Sequence, residues 1–307
     1  MTRIICSNCG KEQRWYEPKK IDPETKKLVC RKCGNVLNSE EEKKEAPVGS
    51  SEPNIGKLVL DITASFNSLR KKQRNIIFPS VPVLYLGDLP KFKKSYPKVI
   101  TAGYNPSNNE FPTNSIYKRF KEIENFKTSN KDAITIYLNS LNNYFNDQPD
   151  KWYNSFNLIL EGLNTSYYSN LPNRSLHTYL CSPIATDTSW GKLKSSTKFT
   201  LSSNGRRFWY RLVEILEPDM ILFSVDKEYI NRVVIKKLGW KIFKSIKLKA
   251  DGSPRDKPYD IEITEGRISS KKMHLVYGPP SYLPFGSISN ESKVQLGKEL
   301  MNFLEKQ

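Results

Sequence analysis

The sequence has no apolar run of about 18 residues, so a membrane-spanning helix is excluded at the sequence level. The first residues, Met1 to Cys6, lack the long apolar region of a secretory signal, and we therefore expect a cytoplasmic protein. The sequence also has no cluster of Asp and Glu spaced to hold two Mg²⁺ ions, which argues against a two-metal nuclease. The aspartates considered are scattered along the chain: Asp187, Asp219, Asp226 and Asp260.

Cysteine is scarce, with five in 307 residues, yet four of them lie close together near the start. Cys6 and Cys9 form one Cys-x-x-Cys-Gly pattern, and Cys30 and Cys33 form a second. In a cytoplasmic protein such pairs are more often metal ligands than disulfides. Two such turns complete a tetrahedral site of four thiolates, so we predict a structural Zn²⁺ ion bound by all four. Residues 1–38 thus read as a zinc ribbon whose folding energy comes mostly from the metal.

The role of this ribbon is left open by its sequence. Its basic and aromatic side chains favour contact with nucleic acid, and a structural or protein-docking role is equally compatible with them. The residues that suggest nucleic acid are Arg14, Trp15, Lys19, Lys20, Arg31 and Lys32. Residues 39–56 carry almost no large apolar side chain and predict a flexible linker, which leaves residues 57–307 as the main domain.

The chain is strongly basic, with 49 Lys and Arg against 32 Asp and Glu and a formal net charge of +17. Such an excess favours a polyanionic partner, either nucleic acid or an anionic membrane surface. The alternative is a Lys-rich coding bias in the host. The cluster Arg70–Arg74 is one candidate for phosphate contact, although most such runs are only solvated surface.

Residues 98–112 organise the main domain. Val99–Ala102 form a β-branched apolar run that predicts a buried strand, and Gly103 ends it by allowing a sharp turn. Pro106 holds Asn105 in an extended conformation, so the Asn105 amide is aimed rather than mobile. Ligands of open α/β sheets bind outside the carboxyl ends of the strands, where this polar loop would lie. The simpler interpretation is that Asn-Pro is only a common turn dipeptide.

The remaining pattern predicts a three-layer α/β/α fold around a central, mostly parallel sheet. Apolar residues recurring three and four apart predict helices, and short apolar or alternating runs predict strands. The predicted helices are 115–126, 132–146, 151–163, 206–216, 227–238 and 291–305. The predicted strands, besides Val99–Ala102, are 175–183, 219–225, 240–248, 259–268 and 274–277. Three of these strands end in polar or turn-rich loops, which would meet at one edge of a parallel sheet.

This pattern resembles the uracil-DNA glycosylase superfamily. Gly103-Tyr104-Asn105-Pro106-Ser107 is similar to the Gly-x-Asn-Pro-Gly first motif of the mismatch-specific uracil/thymine branch. Asp219–Val225 is similar to the core strand of the family. Gly278-Pro279-Pro280-Ser281-Tyr282 stands where the family carries its second motif, His-Pro-Ser or Asn-Pro-Ser. The similarity consists of short islands between about residues 80 and 305.

The resemblance implies a DNA glycosylase that hydrolyses the N-glycosidic bond of a nucleotide flipped out of double-stranded DNA. Asn105 matches the family residue that positions the attacking water and is the predicted catalytic residue. The resemblance implies a base-binding set and a loop that inserts into the duplex. The base-binding residues are Gly103, Tyr104, Pro106, Phe111 and His177; the inserting loop is Gly278, Pro279, Pro280, Ser281 and Tyr282. We expect a monomer that does not associate with membranes.

Two departures from the family pattern bear on the substrate. Many family members carry a second-motif His that stabilises the leaving base, and here Gly278-Pro279 stands in its place. The mismatch-specific branch also lacks that His. The family Asn that reads the base aligns with His177 or with Leu180, and a His there argues against plain uracil. Structural roles for His177 and His274 are the alternative. Some family members excise bulky modified pyrimidines from foreign DNA as an antiviral defence. The loop Asn108-Asn109-Glu110 and the insertion 113–172 would enlarge a pocket for such a base.

A second functional class fits the same observations. The chain would then be a zinc-ribbon nucleic-acid-binding protein with a degenerate glycosylase fold and no catalytic activity. Replacing Asn105 by Ala separates the two, because only the enzyme would lose an activity.

Overall fold

The computed structural model describes residues 54–124, 132–146, 150–168, 170–232, 239–249, 251–268 and 271–307, together with the backbone of four short N-terminal strands. The chain divides into two compact units, Met1–Glu52 and Pro53–Gln307. In the first unit, Ile4–Ile5 pairs antiparallel with Glu12–Gln13, and Lys20–Ile21 pairs antiparallel with Leu28–Val29. The four cysteines predicted to bind zinc lie outside the described residues.

The second unit is built on a seven-stranded sheet. In chain order its strands are β1 (Tyr85–Leu86), β2 (Val99–Gly103), β3 (Leu176–Tyr179), β4 (Met220–Phe223), β5 (Lys241–Leu248), β6 (Pro254–Ile268) and β7 (Lys271–Tyr277). Their spatial order is β5-β6-β7-β4-β2-β3-β1. A separate parallel pair joins Thr165–Ser166 to Asn173–Arg174.

The sheet is mixed rather than mostly parallel. The inner strands β7, β4, β2 and β3 run parallel, as predicted. The ladders β5-β6, β6-β7 and β1-β3 are antiparallel. The connections β5-β6 and β6-β7 are too short to hold a crossover, so these neighbouring strands can pair only in the antiparallel sense.

The helices of the described residues are α1 (Ile55–Leu69), α2 (Leu89–Phe92), α3 (Ala133–Asn142), α4 (Lys151–Gly162), α5 (Ser195–Leu216), α6 (Lys227–Asn231) and α7 (Asn290–Glu305). Short 3₁₀ turns cover Lys121–Ile123, Tyr144–Asn146 and Trp190–Lys192. None of the helices in this described part is long and apolar enough to cross a membrane.

One helix prediction and the predicted linker boundary need correction. The first, for residues 115–126, is wrong, because the described residues up to 124 form successive three-residue turns, such as Phe120 N–H to Tyr117 O. A spacing of three also buries Phe120 and Ile123, so their periodicity does not distinguish these turns from a helix. The second concerns α1, which was not predicted. It begins at Ile55, inside the segment 39–56, where the Asn54 side chain accepts from the Gly56 N–H at 2.7 Å.

Helices lie on both faces of the sheet. In β3, His177 contacts Trp152 and Phe156 of α4, whereas the next residue, Thr178, accepts a hydrogen bond from Trp209 of α5. Successive residues of a strand point to opposite faces, so α4 and α5 cover opposite faces. The β-strand core is therefore buried on both sides, and β2 is buried throughout.

Candidate active site

A cavity of about 420 Å³ opens at the carboxyl edge of the parallel strands. Strand β2 ends there at Gly103, which pairs with Tyr179 at the end of β3. This is the edge at which open α/β sheets bind ligands. Its walls are rich in aromatic side chains, with a few polar groups between them. The aromatic residues that line it are Tyr104, Trp152, Tyr153, Tyr179, Trp190 and Tyr282.

Asn105 lines this cavity, and its amide group is held in one orientation. Its Nδ2 donates to Pro106 O at 2.8 Å, to Ile184 O at 3.3 Å and to Thr186 Oγ1 at 2.8 Å. Carbonyl oxygens can only accept, so the nitrogen must face them. The Thr186 hydroxyl donates its own hydrogen to Thr188 O at 2.7 Å, which leaves its oxygen to accept from Asn105. Among the described residues no partner occupies Asn105 Oδ1, which remains an available acceptor.

Close packing holds the loop after β3, which carries two hydrogen-bond partners of Asn105, Ile184 and Thr186. The backbone N–H groups of Cys181 and Ser182 donate to Tyr104 O, which ties the loop after β3 to the loop after β2. A Cβ on Gly205 of α5 would lie 2.0 Å from Cys181 O, so only glycine lets α5 approach this closely. Cys181 is fully buried, and burial raises the pKa of its thiol.

Tyr104 belongs to an aromatic group on one wall of the cavity. Its ring stacks with Trp190 at 6.2 Å between centroids and meets Tyr229 edge-on at 5.6 Å. Its hydroxyl accepts from the Asp226 N–H at 2.8 Å, and burial raises the pKa of the phenol, so the hydroxyl stays neutral. Tyr104 is thereby a fixed flat surface beside Asn105.

His177 lies behind the cavity wall and does not line it. Its Nδ1 is 2.7 Å from Thr101 Oγ1, and its Nε2 is buried without a hydrogen-bond partner among the described residues. Burial lowers the pKa of the imidazole to about 3, so the ring is neutral. A Cβ on Gly103 would be 3.3 Å from Nε2, which puts the ring directly under the floor of the cavity.

Glu110, in the loop predicted to enlarge the pocket, is a buried carboxylate in the cavity wall, and the sequence did not suggest a chemical role for it. Its Oε2 accepts from the Ser107 N–H at 2.6 Å and from the Ser107 hydroxyl at 2.8 Å. Its Oε1 accepts from the Tyr153 hydroxyl at 2.9 Å. Tyr153 also lies 2.9 Å from the Tyr179 hydroxyl, which must donate because the Tyr153 hydrogen is already used. All partners of Glu110 are donors, so both of its carboxyl oxygens act as hydrogen-bond acceptors.

The turn Gly278–Tyr282 reaches the same cavity through one of its residues. Tyr282 lines the cavity and is 94% exposed, the largest value among the exposed large hydrophobic residues of the described chain. Leu283 lines the cavity beside it. Gly278 and Pro279 face inward instead: Pro279 O accepts from the Tyr259 hydroxyl at 2.9 Å, and a Cβ on Gly278 would be 2.4 Å from Phe285.

Two further residues that were predicted to bind the base, Phe111 and Pro106, do not line the cavity. Phe111 is fully buried and stacks on Phe120 at 5.0 Å between centroids. Pro106 is buried and supports Asn105 through its carbonyl oxygen. The structure therefore brings Gly103, Tyr104, Asn105 and Tyr282 together at one cavity. Trp152, Tyr153 and Trp190 had no local signal in the sequence that could have identified them.

A second, more polar cavity of about 800 Å³ adjoins the first, and the two share Asn109 and Asp150 in their walls. Its lining is mostly amide, hydroxyl and cationic groups from the segment after the first motif. The residues lining only this second cavity are Asn108, Pro112, Thr113, Asn114, Lys118, Arg119, Lys121 and Tyr144.

The described residues contain no group of three or more His, Cys, Asp or Glu that could hold a metal ion. No protein-family model matches the chain, and no curated protein matches it.

Proposed function

We propose that the chain is a DNA glycosylase that hydrolyses the N-glycosidic bond of a flipped-out nucleotide and leaves an abasic site. The single observation that supports this best is the setting of Asn105. Its amide nitrogen is held by three acceptors, its Oδ1 is available, and it lines a cavity of about 420 Å³ with Tyr282 at the rim. That volume is within the usual range for small-molecule sites, about 300–1,000 Å³.

In the proposed mechanism, Asn105 Oδ1 accepts a hydrogen bond from a water molecule and aims the oxygen of that water at the anomeric carbon. The bond between sugar and base breaks with its electron pair going to the base, and the sugar passes through an oxocarbenium-like state. The water oxygen then bonds to the anomeric carbon and releases a proton to solvent. An amide is a poor base, but this reaction needs placement of the water more than its deprotonation.

Glu110 supports this step through its charge. The carboxylate lines the same cavity, and its hydrogen bonds to Ser107 and Tyr153 keep it in place. A fixed negative charge stabilises a developing cation, and it acts most strongly where water is excluded.

The aromatic walls would hold the base by stacking. Trp152 and Tyr179 both contact His177, and Tyr104 and Trp190 stack on each other; these four aromatic residues line the cavity, whereas His177 does not. Stacking of a base on an aromatic side chain contributes roughly 1–3 kcal/mol. His177 would act from below, by shaping the floor at Gly103 rather than by touching the base.

We propose a bulky modified pyrimidine as the excised base. The polar cavity next to the first would take a hydrophilic substituent of that base, because the two share Asn109 and Asp150. Removal of such bases would serve as a defence against phage with modified DNA. Binding of Zn²⁺ by Cys6, Cys9, Cys30 and Cys33 also remains a proposal, supported by the preference of this ion for four thiolates.

One assay tests the function directly. Duplex oligonucleotides that carry uracil, a mismatched thymine or a hypermodified cytosine are incubated with the protein, and abasic sites are detected by alkaline cleavage. We expect cleavage at the hypermodified cytosine. Cleavage at uracil alone would reject the modified-base proposal. If none of the substrates is cleaved, the proposed glycosylase activity is rejected.

The second candidate function is nucleic-acid binding without catalysis. The observation that favours it is the absence of the second-motif His, since Gly278 and Pro279 stand in its place and pack inward. Under this proposal the wild-type protein binds DNA with strong salt dependence and forms no abasic sites on any of these substrates.

A further inference from the structure

Strands β5 and β6 form a two-stranded ribbon that extends past the edge of the sheet where the cavity opens. Tyr277, the last residue of β7, pairs with Glu262, which in turn pairs with Ile242 of β5. Residues 243–248 of β5 therefore continue beyond the carboxyl ends of the parallel strands, paired with the first part of β6. At about 3.3 Å per residue, these six residues reach roughly 20 Å. We call residues 243–249 and 251–261 the basic ribbon.

The basic ribbon is attached to the loop that carries Tyr282. The Tyr259 hydroxyl donates to Pro279 O at 2.9 Å. The Arg255 guanidinium donates to Leu248 O at 2.9 Å, across the ribbon, and to Ser287 O in the same loop. The position of the ribbon relative to the cavity rim is thus set by hydrogen bonds at both ends of this loop.

Three lysines of the basic ribbon form no ion pair with another described residue. Lys247, Lys249 and Lys257 are exposed, and none has a carboxylate within ion-pair distance among the described residues. By contrast, Lys244 is paired with Glu299 of α7 at 2.6 Å, and its charge is largely compensated. The ribbon also carries three aspartates, Asp251, Asp256 and Asp260, against five basic residues, so its net charge is +2. Asp251 accepts hydrogen bonds from Ser253, and Asp260 accepts one from Ser245.

We propose that the basic ribbon is a DNA-contacting arm that lies against the phosphates of the duplex flanking the flipped nucleotide. The choice of DNA as the partner rests on the proposed function. A duplex whose nucleotide enters the cavity must pass over its rim at Tyr282, and the ribbon stands beside that rim. Phosphate contacts position a protein on DNA without reading its sequence, a role suited to flexible exposed lysines.

The test compares two triple variants that lower the net charge equally. The first is Lys247→Gln, Lys249→Gln and Lys257→Gln in the ribbon. The control is Lys93→Gln, Lys94→Gln and Lys306→Gln, all exposed lysines. Lys93 and Lys94 precede the start of β2, and Lys306 follows α7, whose Phe303 contacts His274 near the start of β7. The control lysines therefore lie at the opposite edge of the sheet from the cavity.

The dissociation constant of the full-length protein for a duplex oligonucleotide is measured over a series of KCl concentrations. Each lost phosphate contact reduces the slope of log affinity against log salt by about 0.9, so we expect the ribbon variant to lose about 2–3 in slope. The control should lose less than about 1. Equal slopes for the two variants, or no binding of duplex DNA by the wild type, would overturn the proposal.

Two further measurements separate phosphate contact from damage to the fold, and DNA binding from catalysis. The matching Lys→Arg triple variant keeps the charges and should restore the wild-type slope, which separates phosphate contact from damage to the fold. Abasic-site formation is followed separately, because the binding slopes do not depend on catalysis. If the wild type forms no abasic sites and only the ribbon variant has a reduced slope, the glycosylase proposal is rejected and the DNA-contacting arm is supported. If the wild type excises a base and the two variants have equal slopes, the glycosylase proposal is supported and the DNA-contacting arm is rejected.

Discussion

The side-chain amide of Asn105 donates a hydrogen bond to the hydroxyl of Thr186 at 2.8 Å, although the two residues are 81 positions apart in the chain. Thr186 in turn donates to Thr188 O, so the direction of this short chain of hydrogen bonds is defined. The loop after β3 thereby decides which atom of Asn105 faces the cavity. The proposed chemistry depends on that orientation, and it can be tested without removing Asn105.

Thr186→Val removes the hydroxyl acceptor and keeps the shape of the side chain. A typical net hydrogen bond is worth about 1 kcal/mol, so we expect kcat for base excision to fall by about fivefold to tenfold. Asn105→Ala should lower it by at least about 100-fold, since the water loses its placement. Both variants should bind the same duplex with nearly unchanged affinity. An Asn105→Ala protein as active as the wild type would remove Asn105 from the mechanism.

Tyr282→Ala tests the exposed aromatic residue at the cavity rim. If Tyr282 fills the space that the flipped base leaves, excision from duplex DNA should fall by about 10-fold to 100-fold, because unstacking costs a few kcal/mol. Excision from a single-stranded oligonucleotide should change little. Phe199→Ala is the matched control, since Phe199 is an exposed aromatic residue that does not line the cavity. Equal losses on both substrates would contradict the wedge role.

Glu110→Gln tests the buried carboxylate. An amide in its place would turn an NH₂ group toward donors, either toward Ser107 or toward Tyr153. Hydrogen bonds to charged groups are worth about 1.5–3 kcal/mol, so we expect the free energy of unfolding to drop by about 2–3 kcal/mol in urea denaturation. Tyr153→Phe removes only one of these bonds and leaves the charge. It should therefore cost less stability and preserve more activity than Glu110→Gln, and the opposite order would contradict the role of the charge.

His177 gives the protein a pH-dependent stability. Burial lowers the pKa of the folded imidazole from 6.5 to about 3, so between these values the unfolded chain binds a proton that the folded chain does not. This contribution is fully present above pH 6.5 and is lost as the pH falls toward 3, at up to about 1.4 kcal/mol per pH unit. We expect His177→Gln to flatten the fall in unfolding free energy on acidification. The control His274→Gln changes a ring that is only partly buried, and its slope should stay closer to the wild type.

Several features of the fold could be predicted from local sequence. The apolar run at Val99 and the break at Gly103 predicted β2 and its end, and alternating residues predicted strands at the positions of β5 and β6. The pattern did not distinguish the turns near Phe120 from a helix. Local periodicity reports which residues are buried, and a spacing of three is compatible with more than one backbone conformation.

The amino-acid sequence by itself determined where strand β2 ends and that Asn105 follows it in a constrained turn, because glycine permits a sharp turn and proline restricts the backbone beside it. Only the tertiary structure decided what surrounds Asn105. It turned Phe111 into the core and put His177 beneath Gly103. It also brought Thr186, Trp152 and Tyr282 to one cavity from distant parts of the chain. Such contacts depend on how helices and loops pack across the sheet, and short-range pattern carries no information about that packing.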